Sequence, residues 1–379
     1  MKEKFYSLIP LLRTAPDAKY YMIYGERSNG KTFAVLETIL FGQHEKDVNV
    51  NGYLDDGSQG AIIRRYEEDF RGKRGVQMFD GFVNNNIKGN IIEKRSHGKW
   101  NEIKYERGGW WLAHVDENGE VDRKDERPFC YRFSITGCEH DKSTSYPNIT
   151  NILFDEFLTR EFYLPDEFVL FVNLLSTIIR LRDNARIFMC GNTVNKYCPY
   201  FNDMGLTNIK NQKKGTIDVY SYGNSSLKVA VEYSDFPAKK KKSDIYFAFD
   251  NPKLKMITSG EWELNLYPHC PMKYDPWNIL FIYFIVFDQE ILQCEIISKE
   301  GKNFTFIHRK TTPIKDDGKA IVYQQDYDIR MNYTRNITKP RNTVEQKIYM
   351  YFVHDRVFYQ DNTVGETVRN YLKWCINEA

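Results

Sequence analysis

The first half of the chain consists of apolar runs as long as a strand, separated by polar stretches and by segments with the spacing of a helix. Four apolar runs, over residues 20–24, 61–65, 151–155 and 185–190, are the length of strands buried on both faces. Apolar residues recur at helical spacing over 32–40 and again over 165–179. Buried strands that alternate with helices predict a mainly parallel sheet covered by helices.

The remainder of the chain has a different pattern. Residues 82–135 break into short apolar segments between Gly, Asn and charged turns, which predicts an antiparallel excursion with a first strand over 87–92. From about 206 the chain is polar and basic, with a lysine run at 239–242. We therefore divide it into an α/β domain over 1–205, a linker region over 206–250 and a small α+β domain over 251–379.

The last of these domains is predicted from three strands and two helices. The strands are expected over 280–287, 291–297 and 303–308. Thr343 and Thr363 each precede Gln or Glu by three residues, which is the spacing of a capping box at a helix start.

Composition narrows the class of protein. The 379 residues include 53 Lys+Arg and 51 Asp+Glu, and a net charge of +2 excludes a polycation that coats nucleic acid by charge alone. The 7 cysteines are scattered without a C-x-x-C pair, so neither a disulfide framework nor a zinc site is expected. The longest apolar run, over 279–287, is shorter than the roughly 20 residues of a membrane helix. We expect a cytoplasmic protein without a membrane partner.

A glycine-rich motif carries the strongest chemical signal. The eight residues fit G-x-x-x-x-G-K-[ST] between a predicted strand and a predicted helix: Gly25, Glu26, Arg27, Ser28, Asn29, Gly30, Lys31 and Thr32. Such a loop directs backbone N–H groups at phosphate oxygens at a helix N-terminus. The motif predicts ATP as substrate, with Lys31 on the β/γ-phosphates and Thr32 on Mg²⁺.

Acidic and polar residues end two of the later strands. Asp155 and Glu156 follow the third apolar run, so that Asp155 can hold Mg²⁺ through water while Glu156 deprotonates an attacking water. This pair favours an ATP-hydrolysing enzyme over a kinase. Asn192 ends the fourth run and is either a sensor of the γ-phosphate or a turn residue.

Arginines follow the helix predicted over 165–179. Arg180, Arg182 and Arg186 are candidates for a residue that enters a neighbouring subunit's site, or they cap the helix by its dipole. Their residue type and position leave both interpretations open.

The order of these motifs resembles the DNA-packaging ATPases of small phi29-like tailed phages. The more specific part is Lys142-Ser143-x-x-Tyr146-Pro147-Asn148, which stands just before the Asp-Glu strand. The other matching elements are the glycine-rich motif, Ile63-Arg64-Arg65-Tyr66, Leu153 to Phe157, Thr177 to Arg180, and Gly191-Asn192 with Pro199-Tyr200-Phe201. The resemblance covers roughly residues 18–205.

This resemblance implies a fold, partners and further roles. The implied fold is a P-loop NTPase of the ASCE type, followed by a small α+β domain that resembles a vestigial RNase H-like nuclease. The family assembles as a homopentameric ring at the portal vertex of an empty capsid in the host cytoplasm. It drives double-stranded DNA inward, with or without an RNA scaffold at the portal. Arg180 matches the family's trans-acting arginine finger, and Lys142 matches a basic residue that acts across the subunit interface.

The resemblance also places Arg64 and Arg65 at the nucleotide site or at the subunit interface. Basic side chains for DNA are expected within 88–107: Lys88, Lys94, Arg95, Lys99, Lys104 and Arg107.

Other functions stay open at this point. One is a terminase-type motor with an active metal-dependent nuclease, for which Asp288, Glu290 and Glu295 are the nearest carboxylates. Another is a nucleotide-dependent DNA-binding switch that turns over ATP slowly. A third is an assembly protein whose nucleotide locks a ring.

Overall fold

The chain forms two compact units. The computed structural model describes residues 6–43, 48, 50–137, 144–160, 162–193, 195–236, 267–315 and 318–377. The first unit comprises residues 1–160, 166–196 and 203–261, and the second comprises 161–165, 197–202 and 262–379. Lys142 and the lysine run at 239–242 lie outside the described residues.

A mixed sheet forms the centre of the first unit. Its strands are β1 Tyr20–Gly25, β2 Gln59–Arg64, β3 Glu102–Glu106, β4 Gly109–Val115, β5 Val121–Lys124, β6 Cys130–Ser134, β7 Ile149–Asp155, β8 Arg186–Asn192, β9 Thr216–Ser221 and β10 Lys228–Ser234. Their spatial order is β3-β4-β6-β2-β7-β8-β1-β10-β9, with β5 paired to β4. The mixed α/β architecture predicted from the pattern is confirmed.

Six neighbouring strands of this sheet, from β6 to β10 in the spatial order, run parallel. The side chains of β1, β2, β7 and β8 are almost continuously buried, as expected for a sheet with both faces covered. Because the strands are parallel, the carboxyl ends of β1, β2, β7 and β8 lie along one edge of the sheet. The glycine-rich motif and the Asp-Glu pair therefore meet at that edge.

The helices of this part of the chain are mostly short. They are α1 Ile9–Thr14, α2 Lys31–Phe41, α3 Tyr53–Asp56, α4 Lys73–Gln77, α5 Asp80–Val83, α6 Ile91–Arg95, α7 Glu167–Ile179 and α8 Pro199–Asp203. The helices α2 and α7 are those predicted from helical spacing; α2 is buried on nearly all sides, whereas α7 buries one apolar face and exposes the other.

Two segments differ from the sequence interpretation. Residues 216–221 and 228–234, within the region interpreted as a linker, form β9 and β10, and β10 lies between β1 and the edge strand β9. The strand expected over 87–92 is instead a turn followed by α6, whose first residues are capped by the Asn90 side chain. The antiparallel excursion itself is present as β3, β4 and β5.

The second unit has its own sheet and core. Its strands are β11 Ile279–Phe287, β12 Glu290–Lys299, β13 Lys302–Arg309, β14 Val322–Gln324, β15 Tyr333–Thr334 and β16 Val357–Tyr359, in the order β15-β14-β11-β12-β13-β16. Two longer helices, α9 Thr343–Val353 and α10 Asn362–Asn377, belong to this unit, as does most of the short α8. Val364, Val368 and Tyr371 of α10 are buried in the same apolar cluster as Tyr283 and Ile285 of β11.

The caps of these two helices differ from the prediction by one or two residues. The Asn342 side chain, rather than Thr343, accepts hydrogen bonds from the N–H groups of Val344 and Glu345, each at 3.0 Å. The Asp361 side chain, rather than Thr363, accepts from Val364 N–H at 2.9 Å. Asn and Asp are at least as good at this position as Thr, because their side-chain oxygens reach the same backbone donors.

Among the described residues, no helix is long and apolar enough to cross a membrane. The six cysteines in the described part of the chain are free thiols.

Candidate nucleotide-binding site

The glycine-rich loop connects β1 to α2, and two of its glycines are required by geometry. A Cβ atom at Gly25 would lie 2.8 Å from the carbonyl oxygen of Ser234 on the neighbouring strand. Gly30 has a φ of 96° and immediately precedes the first turn of α2. A glycine is therefore needed both for the close packing of β1 on β10 and for the entry into α2.

Lys31 is buried at the base of this loop. Its ammonium group donates hydrogen bonds to the carbonyl oxygen of Glu26 at 2.6 Å and to the side-chain oxygen of Asn29 at 3.1 Å. Burial lowers the pKa of Lys31 from 10.5 to about 8, although several nearby acidic groups act in the opposite direction. The loop therefore holds a cation whose charge lacks a carboxylate partner in direct hydrogen-bond contact among the described residues.

Thr32 and Asp155 bring two oxygen ligands together. The Thr32 hydroxyl donates to the Asp155 carboxylate at 2.9 Å. Burial raises the pKa of Asp155, and the nearby Arg64 and the Thr32 hydroxyl oppose this effect. A hydroxyl and a carboxylate at this separation fit Mg²⁺, which is bound in proteins by few oxygen side chains, together with phosphate oxygens and water.

Arg64, at the end of β2, bridges the Asp-Glu pair. Its two terminal nitrogens lie 2.6 Å from a carboxylate oxygen of Asp155 and 2.6 Å from one of Glu156. Glu156 has a φ of 59° and its side chain is 63% exposed, whereas the Asp155 side chain is 7% exposed. Arg64 therefore places a positive charge between two adjacent carboxylates that would otherwise repel each other.

Arg65, the next residue, has a different role. Its guanidinium makes two hydrogen bonds to the Glu167 carboxylate, at 2.8 and 2.9 Å, and one to the carbonyl oxygen of Phe157 at 3.0 Å. Both side chains of this ion pair are buried. The pair connects the end of β2 to the first turn of α7. Through its hydrogen bond to Phe157, Arg65 also fixes the backbone just after the Asp-Glu pair.

These elements enclose a cavity of about 220 Å³. The lining residues include Ser28, Asn29, Gly30, Lys31, Thr32, Asp155, Glu156 and Asn192. Asn192 reaches the cavity because it pairs in register with Gly25 at the end of β8. Arg27 is exposed in the same loop and is not among the described residues that line the cavity.

Arg180 lies at the opposite edge of the sheet. The helix α7 begins beside Phe157, at the carboxyl end of β7, and runs back along the sheet. At its far end the neighbouring Arg182 donates to the carbonyl oxygen of Ile149, the first residue of β7, at 2.6 Å. Six residues of strand separate Ile149 from Asp155, which is about 20 Å at 3.3 Å per residue. Arg180 itself donates to the carbonyl oxygen of Thr144 at 3.0 Å.

The sequence analysis did not identify one acidic residue that lies near the glycine-rich loop. Glu232, on β10, accepts a hydrogen bond from the Tyr6 hydroxyl at 2.6 Å and lies close enough to Lys31 to influence its pKa. Burial raises the pKa of Glu232, and the Tyr6 hydrogen bond and Lys31 oppose this. A single Glu inside the otherwise apolar segment 229–233 is the sequence signal, but it fell in the region interpreted as a linker.

The fold and the site together define a mixed α/β protein with a glycine-rich loop and an Asp-Glu pair at the carboxyl edge of parallel strands. Residues 124–249 match the family model described as Podovirus DNA encapsidation protein (Gp16). The resemblance to phi29-like packaging proteins that the sequence predicted is confirmed.

Two curated relatives are named DNA packaging proteins. The protein of Bacillus phage B103 is 36% identical over 90 residues, which are 21% of this chain and 28% of the relative. That of Bacillus phage phi29 is 29% identical over 203 residues, 53% of this chain and 50% of the relative. The chain thus spans about half or less of the length of these relatives.

A solved structure shares the fold over almost the whole chain. It is titled the bacteriophage Phi-29 viral genome packaging motor assembly, and the superposition has a TM-score of 0.53 at 16% identity. The match covers 99% of this chain and 99% of that chain. The likeness therefore extends through both compact units.

Proposed function

We propose that this chain is the ATPase of a DNA-packaging motor, which hydrolyses ATP to drive double-stranded DNA into a preformed phage capsid. The observation that carries the proposal is the meeting of Lys31, Thr32, Asp155 and Glu156 at one cavity, in a chain similar to DNA packaging proteins. The strand β8 lies between β1 and β7, which supports the ASCE type of P-loop fold.

Five side chains that line the cavity have a role in this proposal. Lys31 and the backbone of the loop bind the phosphates of ATP. Thr32 and Asp155 hold Mg²⁺, which neutralises charge on the phosphate oxygens when bound. Glu156, exposed and adjacent, orients and deprotonates the attacking water, and Asn192 contacts the γ-phosphate from β8.

Arg180 completes the site of a neighbouring subunit. Arg180 contacts Thr144, just before β7, and the strand itself extends about 20 Å from Ile149 to Asp155, so Arg180 cannot act at Asp155 of its own chain without a large rearrangement. A second copy can present Arg180 to the exposed Glu156 side of the cavity, where a guanidinium stabilises charge in the transition state. We propose a ring, pentameric by family resemblance, with Lys142 acting across the same interface.

The DNA contacts are proposed for the basic side chains of 88–107. Lys88, Lys94, Arg95, Lys99 and Arg107 are exposed, and Lys104 is half-buried on β3. The ammonium of Lys99 lies 5.0 Å from the ring of Trp100, and the guanidinium of Arg95 lies 4.9 Å from the ring of Phe41, within cation–π distance. A few such contacts from each subunit give salt-dependent binding to the DNA backbone without a basic monomer.

The second unit is proposed as a docking module with an RNase H-like fold. The antiparallel strands β11, β12 and β13, with β14 and β15 added in parallel beside β11, support this fold. Of the candidate acids, Asp288 lies in the β11–β12 turn, and Glu295 accepts hydrogen bonds from Tyr274 at 2.6 Å and Gln293 at 2.7 Å. No group of three metal-binding side chains occurs among the described residues.

The test is ATP hydrolysis by the purified chain, with and without linear double-stranded DNA, in the presence of portal-bearing empty capsids. We expect DNA to stimulate turnover strongly and Lys31→Ala to abolish it. DNA that becomes resistant to added nuclease only in the presence of ATP would report packaging directly. Turnover that is indifferent to DNA would contradict the proposal and favour a nucleotide-dependent switch.

A further inference from the structure

The exposed face of α7 carries no charged side chain. Val169, Val172, Asn173 and Ser176 recur at helical spacing and are all exposed, with Val169 at 54%. The helix places them within one stripe, since residues three, four and seven apart lie on the same face. Exposed helix faces of monomeric proteins are normally rich in Lys and Glu, so an uncharged stripe of this length marks an interaction surface.

Leu181 extends this stripe beyond the end of the helix. It is fully exposed, at 104% of the reference area for its residue type. The preceding Arg180 has a φ of 52°, an unfavourable backbone conformation for a residue with a side chain. A strained turn that presents a leucine to water is the pattern expected where a partner compensates for both.

Hydrogen bonds of Arg182 fix the turn that contains Arg180 and Leu181. Arg182 donates hydrogen bonds to the carbonyl oxygens of Ile149 at 2.6 Å, Tyr146 at 3.1 Å and Ile178 at 3.1 Å. These contacts fix the backbone on the far side of Leu181, so the leucine is displayed on a supported turn rather than on a free loop.

The charges of the chain indicate what covers this surface. Arg180 stands at the end of the stripe and contacts Thr144, just before β7. At the other end of β7, about 20 Å along the strand, Asp155 and Glu156 offer two carboxylates against the single guanidinium of Arg64. Glu156 is exposed, so this acidic edge is accessible to a second copy. One copy therefore offers an uncharged stripe ending in a guanidinium, and another copy offers an accessible carboxylate.

We infer that the α7 surface, formed by Val169, Val172, Asn173, Ser176 and Leu181, is where a second copy of this chain docks. Leu181 is its apolar anchor, and its burial against the neighbour positions Arg180 at the neighbour's nucleotide site. This inference rests on the proposed function, because it assigns the partner of that same site. It separates assembly from chemistry: Leu181 acts in docking, and Arg180 acts in turnover.

The test compares Leu181→Asp with Ile329→Asp, a matched control at an equally exposed residue of the second unit. Assembly with Mg²⁺ and ATP is followed by sedimentation velocity over a range of protein concentrations, and nucleotide binding by the monomer is measured alongside. We expect Leu181→Asp, and separately Val172→Arg, to raise the concentration needed for assembly at least tenfold. Ile329→Asp assembles like the unmodified chain, and all variants bind ATP equally.

Arg180→Ala completes the experiment, since we expect it to assemble normally and lose turnover. Assembly of Leu181→Asp at the unmodified concentration, an equal shift in Ile329→Asp, or an unmodified chain that stays monomeric throughout would overturn the inference. Failure of the unmodified chain to bind ATP would instead count against the proposed function. The two failures are therefore distinguishable within one set of proteins.

Discussion

The guanidinium of Arg64 lies 2.6 Å from the carboxylate of Asp155, and the same guanidinium reaches Glu156 with its other terminal nitrogen. It therefore compensates the negative charge of both carboxylates in the nucleotide-free protein. Arg64 and a cation at Thr32 and Asp155 would both compensate the same carboxylate.

Replacing Arg64 with Ala should therefore destabilise the nucleotide-free protein. The change leaves a buried carboxylate and its acidic neighbour without their partner, and such a loss costs about 3 kcal/mol in the free energy of unfolding. We expect millimolar Mg²⁺ to recover part of this loss, because it can compensate the same charge. Urea unfolding with and without Mg²⁺ measures both effects, and Arg71→Ala, at an exposed ion pair, is the control. An equal loss in both variants would contradict the argument.

Lys31 predicts a pH dependence of ATP binding. Its pKa of about 8 in the free protein means that the ammonium loses its proton as the pH rises from 7 to 9. Since the protonated form binds phosphate, the affinity for ATP should fall over this window in the unmodified chain. In Lys31→Met the affinity should be low and nearly constant. Isothermal titration at several pH values tests this, and parallel slopes for the two proteins would exclude Lys31 as the titrating group.

The lowered pKa of Lys31 also affects how the free energy of unfolding of the nucleotide-free protein depends on pH. Because the pKa of Lys31 is lower in the folded chain than in the unfolded chain, the unfolded state binds more protons above pH 8. The contribution of Lys31 to the free energy of unfolding therefore rises with pH from about 8 towards 10.5. Comparison with Lys31→Met across this range isolates that contribution from the other titrating groups.

Glu232 should influence the pH at which Lys31 loses its proton. Its negative charge raises the pKa of Lys31, so Glu232→Gln should move the loss of ATP binding to lower pH. Tyr6→Phe removes the hydrogen bond that favours ionised Glu232, and should produce a smaller shift in the same direction. The pH midpoint of ATP binding is the measurement, with the exposed Glu93→Gln as control. A midpoint unchanged in Glu232→Gln would show that this carboxyl does not influence the lysine.

Mixed assemblies should reveal which chain supplies Arg180. We expect Glu156→Gln to bind ATP normally and to lose turnover by 10²-fold or more. Arg180→Ala should lose turnover by about 10³-fold. Because an intact Glu156 in one chain can meet an intact Arg180 in its neighbour, mixtures of the two variants should recover part of the activity. Absence of recovery at every mixing ratio, in rings shown to exchange subunits, would argue for a site completed within one chain.

Local patterns were sufficient for the strands and helices that carry the nucleotide motifs. The runs that became β1, β2, β7 and β8 have apolar centres without alternation, since both faces of a parallel sheet are buried. The glycine-rich loop could also be predicted from its residue types, because only glycine at position 25 allows β1 to pack against Ser234.

Other features depend on pairing between distant parts of the chain. The segment that forms β10 carries charged residues at Lys228 and Glu232, and nothing local shows that it pairs with β1. The roles of Tyr6 and Glu232 could not be predicted before that pairing was known. The bridge from Arg64 to both acids likewise depends on β2 lying beside β7.

The position of β1 inside the sheet also constrains how the protein is made. Tyr20 pairs with Val229. At about 5–20 residues per second, a ribosome needs roughly 10–40 s to synthesise the chain from Tyr20 to Val229. During that interval the nascent β1 has an unpaired apolar edge on its β10 side, where it is open to non-native pairing and to chaperones. A fragment that ends at residue 205 keeps this open edge permanently, so the phosphate loop should be expressed with at least residues up to Ser234.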